Sequence, residues 1–163
     1  MKVEVELKAP CKGAEGRVRA LGAVFLKSQR QEDVYFSHPC RDFRKTDEAM
    51  RVRMADGLFL TYKGPKKRSD AKVREEIEFE VPKDALELLE RLGFREAFRI
   101  LKTRKTFSLD GLTICCDDVV GLGEYVEVES SSEGRTDRIL EVLDRLGVKG
   151  MATTKSYSEL LGA

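Results

Sequence analysis

The chain has 163 residues, enough for one domain with a single core, and 41% of its residues are hydrophobic while 36% are charged. Its 30 Lys and Arg residues nearly balance 29 Asp and Glu residues, so a formal net charge of +1 gives no global field to attract nucleic acid or an anionic membrane. No apolar run approaches the roughly 20 residues of a membrane span, and the sequence does not open with a signal-peptide pattern. We therefore expect one cytoplasmic domain over residues 1–163 and do not expect nucleic acid as a partner.

The cysteines do not form a metal-binding motif. Cys11, Cys40, Cys115 and Cys116 contain no Cys-x-x-Cys pair, and His38 is the only histidine. A zinc site is therefore not expected. We expect reduced cysteines that pack as small hydrophobic side chains.

In chain order, the first half of the sequence reads as strands with one short helix. An alternating acidic and apolar strand opens the chain and ends before Pro10. Gly22 is the usual C-terminal glycine of a helix, and Asp56-Gly57 is a strong hairpin signal. The predicted elements are a strand over 2–8, a helix over 12–21, a strand over 24–36, a loop over 37–47, strands over 49–54 and 58–63, and a strand over 72–81.

The second half adds three helices and three strands. Pro82 is placed to open a helix at its first position, and a leucine stripe leads from there to Gly93. Asp110-Gly111 predicts a turn between two strands. The predicted elements are a helix over 82–92, strands over 98–109, 112–116 and 124–129, and helices over 135–146 and 156–161. Together they give an α+β fold with about eight strands, mostly antiparallel.

Acidic and basic residues occupy alternate positions in most of these strands. Because a strand points successive side chains to opposite faces, each charged row shares one face. A solvated outer face would explain any single row, but the set contains almost no Ser, Thr or Asn. The rows are Glu4, Glu6 and Lys8; Arg51 and Arg53; Lys63; Arg74, Glu76 and Glu78; Lys102 and Arg104; Asp117; and Glu127 and Glu129.

Eight strands can close into a barrel whose lumen holds one small ligand. We therefore expect an eight-stranded antiparallel closed barrel, a tunnel with a charged lumen, whose apolar rows face outward under the leucine-striped helices. Buried charges must be paired or meet ions, and Arg and Lys suit phosphate oxygens. Clustered carboxylates without His or Cys suit a hard cation such as Mg²⁺ or Mn²⁺. Outward apolar faces that no helix covers would need a partner, which favours a homodimer.

The order of the motifs resembles the CYTH superfamily, the triphosphate tunnel metalloenzymes, which include class IV adenylyl cyclases and thiamine triphosphatases. The opening Glu4-x-Glu6-x-Lys8 is a weak signal alone, but six further blocks follow it in order. These blocks are Asp33-Val34-Tyr35-Phe36, Leu60-Thr61-Tyr62-Lys63-Gly64-Pro65, Arg74-Glu75-Glu76-Ile77-Glu78, Lys102-Thr103-Arg104, 117–129 and Lys155-Ser156-Tyr157. The stretches 38–43 and 156–162 look most like the class IV cyclase branch.

The resemblance implies a tunnel that binds a small-molecule triphosphate and a divalent metal, Mg²⁺ or Mn²⁺. Its implied metal ligands are Glu4, Glu6, Glu127, Glu129 and Asp117. Its implied phosphate-binding residues are Lys8, Arg51, Arg53, Lys63, Lys102, Arg104 and Lys155. Glu76 and Glu78 fit either a second metal or ion pairs with the bases, and Lys8, Arg104 and Asp117 are the implied catalytic residues. Tyr35 and Tyr62 are expected to be packing residues.

Two reactions at phosphorus fit these rows. In a triphosphatase, water attacks the terminal phosphorus; in a class IV adenylyl cyclase, the ribose 3′-hydroxyl attacks the α-phosphorus of ATP and pyrophosphate leaves. The sequence reveals neither a base pocket nor a histidine general base. Metal-dependent triphosphate hydrolysis needs only the visible features and is our first expectation, with ATP cyclisation as the alternative. A non-catalytic module for polyphosphate or phosphorylated RNA ends is a third reading, although it would not need so many carboxylates.

Overall fold

The computed structural model describes residues 2–163 and contains a closed antiparallel barrel, as the sequence predicts. Its eight strands are β1 (Lys2–Pro10), β2 (Val24–Ser37), β3 (Ala49–Met54), β4 (Leu58–Lys63), β5 (Lys72–Glu80), β6 (Arg95–Leu109), β7 (Leu112–Val119) and β8 (Gly123–Ser130). Around the barrel they follow the order β1-β5-β4-β3-β2-β6-β7-β8. The first strand therefore closes the barrel between β5 and β8.

Three short helices lie in connections between strands, and two further helices with a 3-10 helix follow β8. They are α1 (Ala14–Ala20), α2 (Phe43–Thr46), α3 (Asp84–Arg91), α4 (Thr136–Arg145) and α5 (Tyr157–Leu161), with a 3-10 helix at Lys149–Met151. Within residues 2–163, none of the helices is both long enough and apolar enough to cross a membrane.

The predicted strands differ from the observed ones mainly at their ends. β3 and β4 have the predicted bounds, whereas β6 begins three residues earlier than predicted and β7 ends three residues later. Pairing explains both extensions, because Arg95 pairs with Ser37 of β2 and Val119 pairs with Lys102 of β6. Barrel neighbours thus decide where these strands end.

Two helix predictions need correction. The predicted loop over 37–47 contains α2, whose N-cap Asp42 accepts a hydrogen bond from the backbone N–H of Arg44 at 3.0 Å. The helix expected to open at Pro82 begins at Asp84 instead, while the Pro82 carbonyl accepts a hydrogen bond from the N–H of Ala85 at 3.0 Å. Pro82 therefore lies in the approach to α3 and not in its first turn.

Strand register brings the charged rows together on the inner face. Glu6 and Lys8 of β1 lie opposite Glu129 and Glu127 of β8, respectively. Directly opposed residues in neighbouring strands point to the same face of a sheet. The barrel interior is therefore charged.

The apolar core lies outside the barrel, under the helices. Val5 and Val128 on the outer faces of β1 and β8 are fully buried with Ile139 and Leu143 of α4. A second cluster packs beneath α3, and a third surrounds α5. The outer face of β5 keeps exposed apolar residues, Phe79 being 54% exposed. A homodimer through such a face stays a prediction.

Candidate active site

The charged rows line one cavity of about 980 Å³ inside and at the mouth of the barrel. Every member of the predicted rows contributes to the lining except Asp117. Asp33 and Lys72, which sequence reasoning left out of the site, also line it. Residues of seven strands, all except β7, therefore converge on a single site.

Three carboxylates from two adjacent strands form an acidic cluster in this cavity. Oxygen atoms of Glu4, Glu6 and Glu129 all lie within 4.8 Å of one another. Burial, followed by the negative charges of Glu127 and Glu4, raises the pKa of Glu129 to about 7. An acid that resists ionisation in this way lies where a positive charge is missing. An all-oxygen donor set fits a hard divalent cation, so these three residues could hold Mg²⁺ or Mn²⁺.

Glu127 lies beside this cluster but is bound to bases. Its two oxygens lie 2.9 Å from Lys8 Nζ and 3.1 Å from an Arg104 guanidinium nitrogen. Burial opposes the ionisation of Glu127, but the charges of Lys8 and Arg104 outweigh it and hold its pKa well below the usual range. The contacts therefore make Glu127 a carboxylate that fixes two bases.

The carboxylate of Asp117 is also held by hydrogen bonds from neighbouring side chains. It is 2% exposed and accepts two hydrogen bonds from Arg104, at 2.7 and 2.6 Å, and one from the Tyr157 hydroxyl at 2.6 Å. It lies outside the cavity lining and outside the acidic cluster. The structure therefore places this implied metal ligand behind Arg104, where it fixes the guanidinium.

Three cations meet at the single carboxylate of Asp33. Arg53 donates to both of its oxygens at 2.7 and 2.8 Å, Lys102 Nζ lies at 2.7 Å, and Arg51 lies at 3.3 Å. Burial opposes the ionisation of Asp33, yet these cations hold its pKa well below the ordinary value. Asp33 supplies one negative charge and Glu78 a more distant one, 3.8 Å from Arg51, so the three cations keep an excess of positive charge that favours a further anion.

Lys102 shows the effect of that excess positive charge. Burial comes first, and the neighbouring Arg53, Arg104 and Arg51 add to it, so that the pKa of Lys102 falls to about 7 despite the attraction of Asp33. An incoming phosphate would reverse this balance, because it supplies the negative charge that the group lacks.

Asp33 was missed because its strand is polar on both faces. Residues 29–33 read Gln-Arg-Gln-Glu-Asp, so alternation does not mark which side chains face inward. Lys72 was missed because it lies at the very start of β5, although its position two residues before Arg74 was an available signal. Lys72 is 4% exposed and forms an ion pair with Glu6.

The remaining predicted acids of β5 make ion pairs. Lys63 Nζ lies 2.7 Å from Glu4 and 2.9 Å from Glu76. Glu78 accepts a hydrogen bond from the Thr61 hydroxyl at 2.7 Å and lies 3.8 Å from Arg51. These contacts agree with the ion-pair alternative for Glu76 and Glu78, and a second metal there stays a prediction.

Lys155 is exposed and does not contribute to the cavity lining. Its neighbour Tyr157, which sequence reasoning gave no role, is 7% exposed and lines the cavity. The Tyr157 ring centroid lies 5.0 Å from Lys8 Nζ and 5.9 Å from Lys102 Nζ. One side chain from α5 thus contacts two bases and, through Asp117, orients a third.

The two tyrosines expected to pack have different positions. Tyr62 lies outside the cavity lining, and its hydroxyl donates to Glu48 at 2.5 Å. Tyr35 lines the cavity, two residues along β2 from Asp33.

The buried Cys115 and Cys116 are free thiols, and burial, followed by the charge of Asp117, raises the pKa of Cys116 to about 12. These thiols are therefore unreactive at neutral pH.

Comparisons with known proteins agree with this geometry. A family model described as "CYTH domain" matches residues 2–157. A Methanocaldococcus jannaschii protein named "Putative adenylate cyclase" is 39% identical over 173 residues, covering 99% of each chain. A solved structure from Pyrococcus horikoshii OT3 has a TM-score of 0.86 at 41% identity and covers 97% of each chain. A Hippeastrum protein described as having a dominant triphosphatase activity shares the fold, with a TM-score of 0.71 at 20% identity over 99% of this chain and 95% of that one.

Proposed function

The chain belongs to the CYTH domain family, and on that basis we propose that it is a divalent-metal-dependent triphosphatase that removes the terminal phosphate of a triphosphate substrate. One observation carries this proposal. Among the described residues, Glu129 of the acidic cluster forms no ion pair although Glu4 and Glu6 pair with lysines, and three bases share the carboxylate of Asp33 in the same cavity. A metal–triphosphate complex would supply a positive charge to the acidic cluster and negative charges to the bases.

The bases around Asp33 are placed to bind phosphate. Arg51, Arg53 and Lys102 are already fixed by hydrogen bonds to this carboxylate, so little reorganisation is needed when phosphate oxygens arrive. Guanidinium groups bind such oxygens in a bidentate geometry, and an ammonium acts as a point charge.

Lys8 and Arg104 lie where the basic group meets the acidic cluster. Lys8 Nζ is 3.0 Å from Glu6 and 2.9 Å from Glu127, and Arg104 is anchored by Asp117 and Glu127. We therefore assign these two bases to the phosphoryl group that is transferred, where they would stabilise charge developing on its oxygens. A divalent cation held by Glu4, Glu6 and Glu129 would neutralise phosphate charge and acidify the attacking water.

ATP cyclisation is the second candidate, because the 39% identical M. jannaschii relative carries the name of an adenylate cyclase. It would use the same bases, with the ribose 3′-hydroxyl replacing water as the nucleophile. A non-catalytic polyphosphate-binding module would use the bases but would not require the acidic cluster.

Product analysis separates these reactions. The purified protein is incubated with ATP or with tripolyphosphate, in Mg²⁺, Mn²⁺ or EDTA, and the products are resolved by chromatography. We expect metal-dependent release of orthophosphate. Cyclic AMP with pyrophosphate would establish the cyclase instead, and metal-independent binding without any product would establish the binding module.

Substitutions in the acidic cluster make the experiment specific. Glu6→Gln and Glu129→Gln should each lower the turnover number by at least about 100-fold, since each removes a metal-binding charge. Glu87→Gln is the matched control, because this surface glutamate is 64% exposed on α3 and far from the barrel interior. Full activity of both cluster variants would overturn the assignment of the metal site.

A further inference from the structure

A buried glutamine oxygen inside the barrel has no hydrogen-bond partner among the described residues. Gln31 lies on the inner face of β2, two residues before Asp33, and is 3% exposed. Its Oε1 and Glu76 Oε2 are the two buried side-chain atoms that lack a hydrogen bond within residues 2–163. Glu76 Oε2 lies 2.9 Å from Lys63 Nζ, so an ion pair accounts for it. An unpaired buried acceptor is destabilising, so Gln31 Oε1 needs another explanation.

A chain of amide hydrogen bonds fixes the orientation of Gln31. Asp56, in the turn between β3 and β4, accepts a hydrogen bond from Gln29 Nε2 at 2.9 Å. Because an ionised carboxylate only accepts, the amide nitrogen of Gln29 must face it, and Gln29 Oε1 is left to accept from Gln31 Nε2 at 2.8 Å. Gln31 Oε1 therefore faces away from Gln29, and the amide cannot be reversed without breaking this chain.

Lys102 is the inward-facing residue directly opposite Gln31. The two are partners in the β2–β6 register, and directly opposed residues point to the same face of a sheet with Cβ atoms about 4.5–5.5 Å apart. Lys102 is 3% exposed, and its side chain donates to Asp33 at 2.7 Å. An ammonium carries three donors, so two remain for other acceptors. A buried oxygen without a donor thus lies opposite a buried base with donors to spare.

The other bases around Lys102 already have acceptors. Arg51 and Arg53 of β3 contact Asp33, and Arg104, two residues along β6, is bound to two carboxylates. A further carboxylate opposite Lys102 would cancel the positive charge that favours phosphate. An amide oxygen instead adds an acceptor without adding a net charge. The residue type at position 31 is therefore suited to supporting a base that must stay attractive to an anion.

We propose that Gln31 is a positioning residue for Lys102: in the substrate complex its Oε1 accepts a hydrogen bond from the Lys102 ammonium, whose three donors are then directed to Asp33, Gln31 and one phosphate oxygen. The inference rests on the proposed function, since a phosphate chain at the neighbouring bases keeps Lys102 fully charged. Gln31 does not contribute to the cavity lining, so it acts on the phosphate through Lys102 and not by contact.

The test is calorimetric titration with tripolyphosphate in EDTA, where a metal-dependent enzyme does not hydrolyse it. Gln31→Met removes the oxygen and keeps an unbranched side chain of similar length. We expect its dissociation constant for tripolyphosphate to rise about 10-fold or more, as for the loss of one hydrogen bond to a charged group. Thr103→Val is the matched control, because Thr103 is the exposed neighbour of Lys102 on β6, and it should stay within about twofold of wild type.

A double-mutant cycle shows whether Gln31 acts through Lys102. In a Lys102→Met background, Gln31→Met should change the dissociation constant for tripolyphosphate by less than about twofold, because the ammonium it positions is gone. An equal loss of affinity in both backgrounds, or no loss in the single variant, would overturn the inference.

Thermal melting in EDTA without tripolyphosphate excludes a merely structural role. Gln31→Met removes an acceptor that is unpaired in the free protein, so the melting temperature should be unchanged or higher. Gln29 is partly exposed, so water can replace the amide hydrogen bond that is lost. A lower melting temperature together with weaker binding would make Gln31 a framework residue and overturn the inference.

Binding in EDTA keeps this inference separate from the proposed function. Absence of hydrolysis when metal is added would overturn the triphosphatase assignment alone, since the tripolyphosphate titrations need no turnover. Failure of wild-type protein to bind tripolyphosphate in EDTA would instead overturn the assignment of the bases to phosphate and, with it, the role of Gln31.

Discussion

Arg53 illustrates how an ion pair can prepare a binding site. Its guanidinium donates two hydrogen bonds to Asp33, but that carboxylate also forms ion pairs with Arg51 and Lys102. Arg53→Ala should weaken the binding of β,γ-methylene ATP by about 1.5–3 kcal/mol, roughly 10- to 150-fold, if one charge-assisted hydrogen bond is lost. Calorimetry measures this change, with Arg99→Ala as the control because Arg99 is half-exposed on the outer surface. An unchanged dissociation constant for Arg53→Ala would remove this residue from the site.

The lowered pKa of Lys102 predicts that the protein takes up protons when substrate binds. Burial and three neighbouring guanidinium groups lower its pKa to about 7, so most of the population is neutral at pH 8. A bound triphosphate adds negative charge, raises the pKa and returns the proton. We expect an uptake of about one proton per site at pH 8.

Calorimetric titrations of β,γ-methylene ATP in two buffers with different ionisation enthalpies measure the proton uptake. Lys102→Arg is the informative variant, because a guanidinium stays charged throughout the accessible pH range. It should abolish most of the uptake while retaining a positive charge. Equal uptake in the variant and in wild-type protein would assign the proton to another group.

At the scale of elements, α5 belongs to the site through one residue. Tyr157 donates to Asp117, which holds Arg104, and its ring lies beside Lys8. We therefore expect Tyr157→Phe to loosen Arg104 without removing the ring. The turnover number on ATP should fall about 10- to 150-fold, as for the loss of one hydrogen bond to a charged group, with the melting temperature nearly unchanged.

Tyr125→Phe is the matched control for this prediction. Its ring packs edge-on against Tyr157 with centroids 5.6 Å apart, but among the described residues its hydroxyl makes no hydrogen bond. A purely structural role for Tyr157 would instead lower the melting temperature and leave the turnover number of the folded protein unchanged. In that case the folded Tyr157→Leu and Tyr157→Phe proteins should have equal turnover numbers.

The inward-facing side chains could be predicted from the sequence in strands whose charges alternate with apolar residues. They could not be predicted in strands that are polar on both faces. In β1 and β8 the glutamates alternate with valine and leucine, so the inward row could be identified before the structure. In β2 both faces are polar near Asp33, so only the barrel register shows which residues face inward. The sequence also did not show that the first residue of α2, Phe43, lines the cavity, because this depends on contacts distant in the chain.

For the whole molecule, the notable property is separation of charge within a nearly neutral protein. The formal net charge of +1 hides a cavity in which Glu4, Glu6 and Glu129 cluster together and three bases crowd Asp33. The burial of Glu129 and Lys102 among like charges is a stability cost that a metal and a phosphate chain would relieve. The metal-free, substrate-free protein should therefore show this cost in its dependence on pH.

Two groups set the expected pH profile of stability near neutrality. The pKa of Glu129 is raised from 4.5 to about 7, so the fold favours its protonated form and the stability falls as pH rises from 4.5 through 7. The pKa of Lys102 is lowered from 10.5 to about 7, so the fold favours its neutral form and the stability rises as pH rises from 7 towards 10.5. We therefore expect a stability minimum near pH 7, measured as urea midpoints in EDTA between pH 5 and 9.5.

Glu129→Gln tests the contribution of Glu129 to this profile, and Glu6→Gln is the comparison. Glu129→Gln removes the repulsive charge and should raise the free energy of unfolding at pH 8 in EDTA by about 1–3 kcal/mol, with little effect at pH 5. Glu6→Gln should instead lower it by about 3 kcal/mol, because Lys8 and Lys72 would lose a buried ion-pair partner. Added Mg²⁺ should stabilise wild-type protein more than Glu129→Gln. If both variants were destabilised equally in EDTA, Glu129 would be a structural ion-pair member and the acidic cluster would not be a metal site.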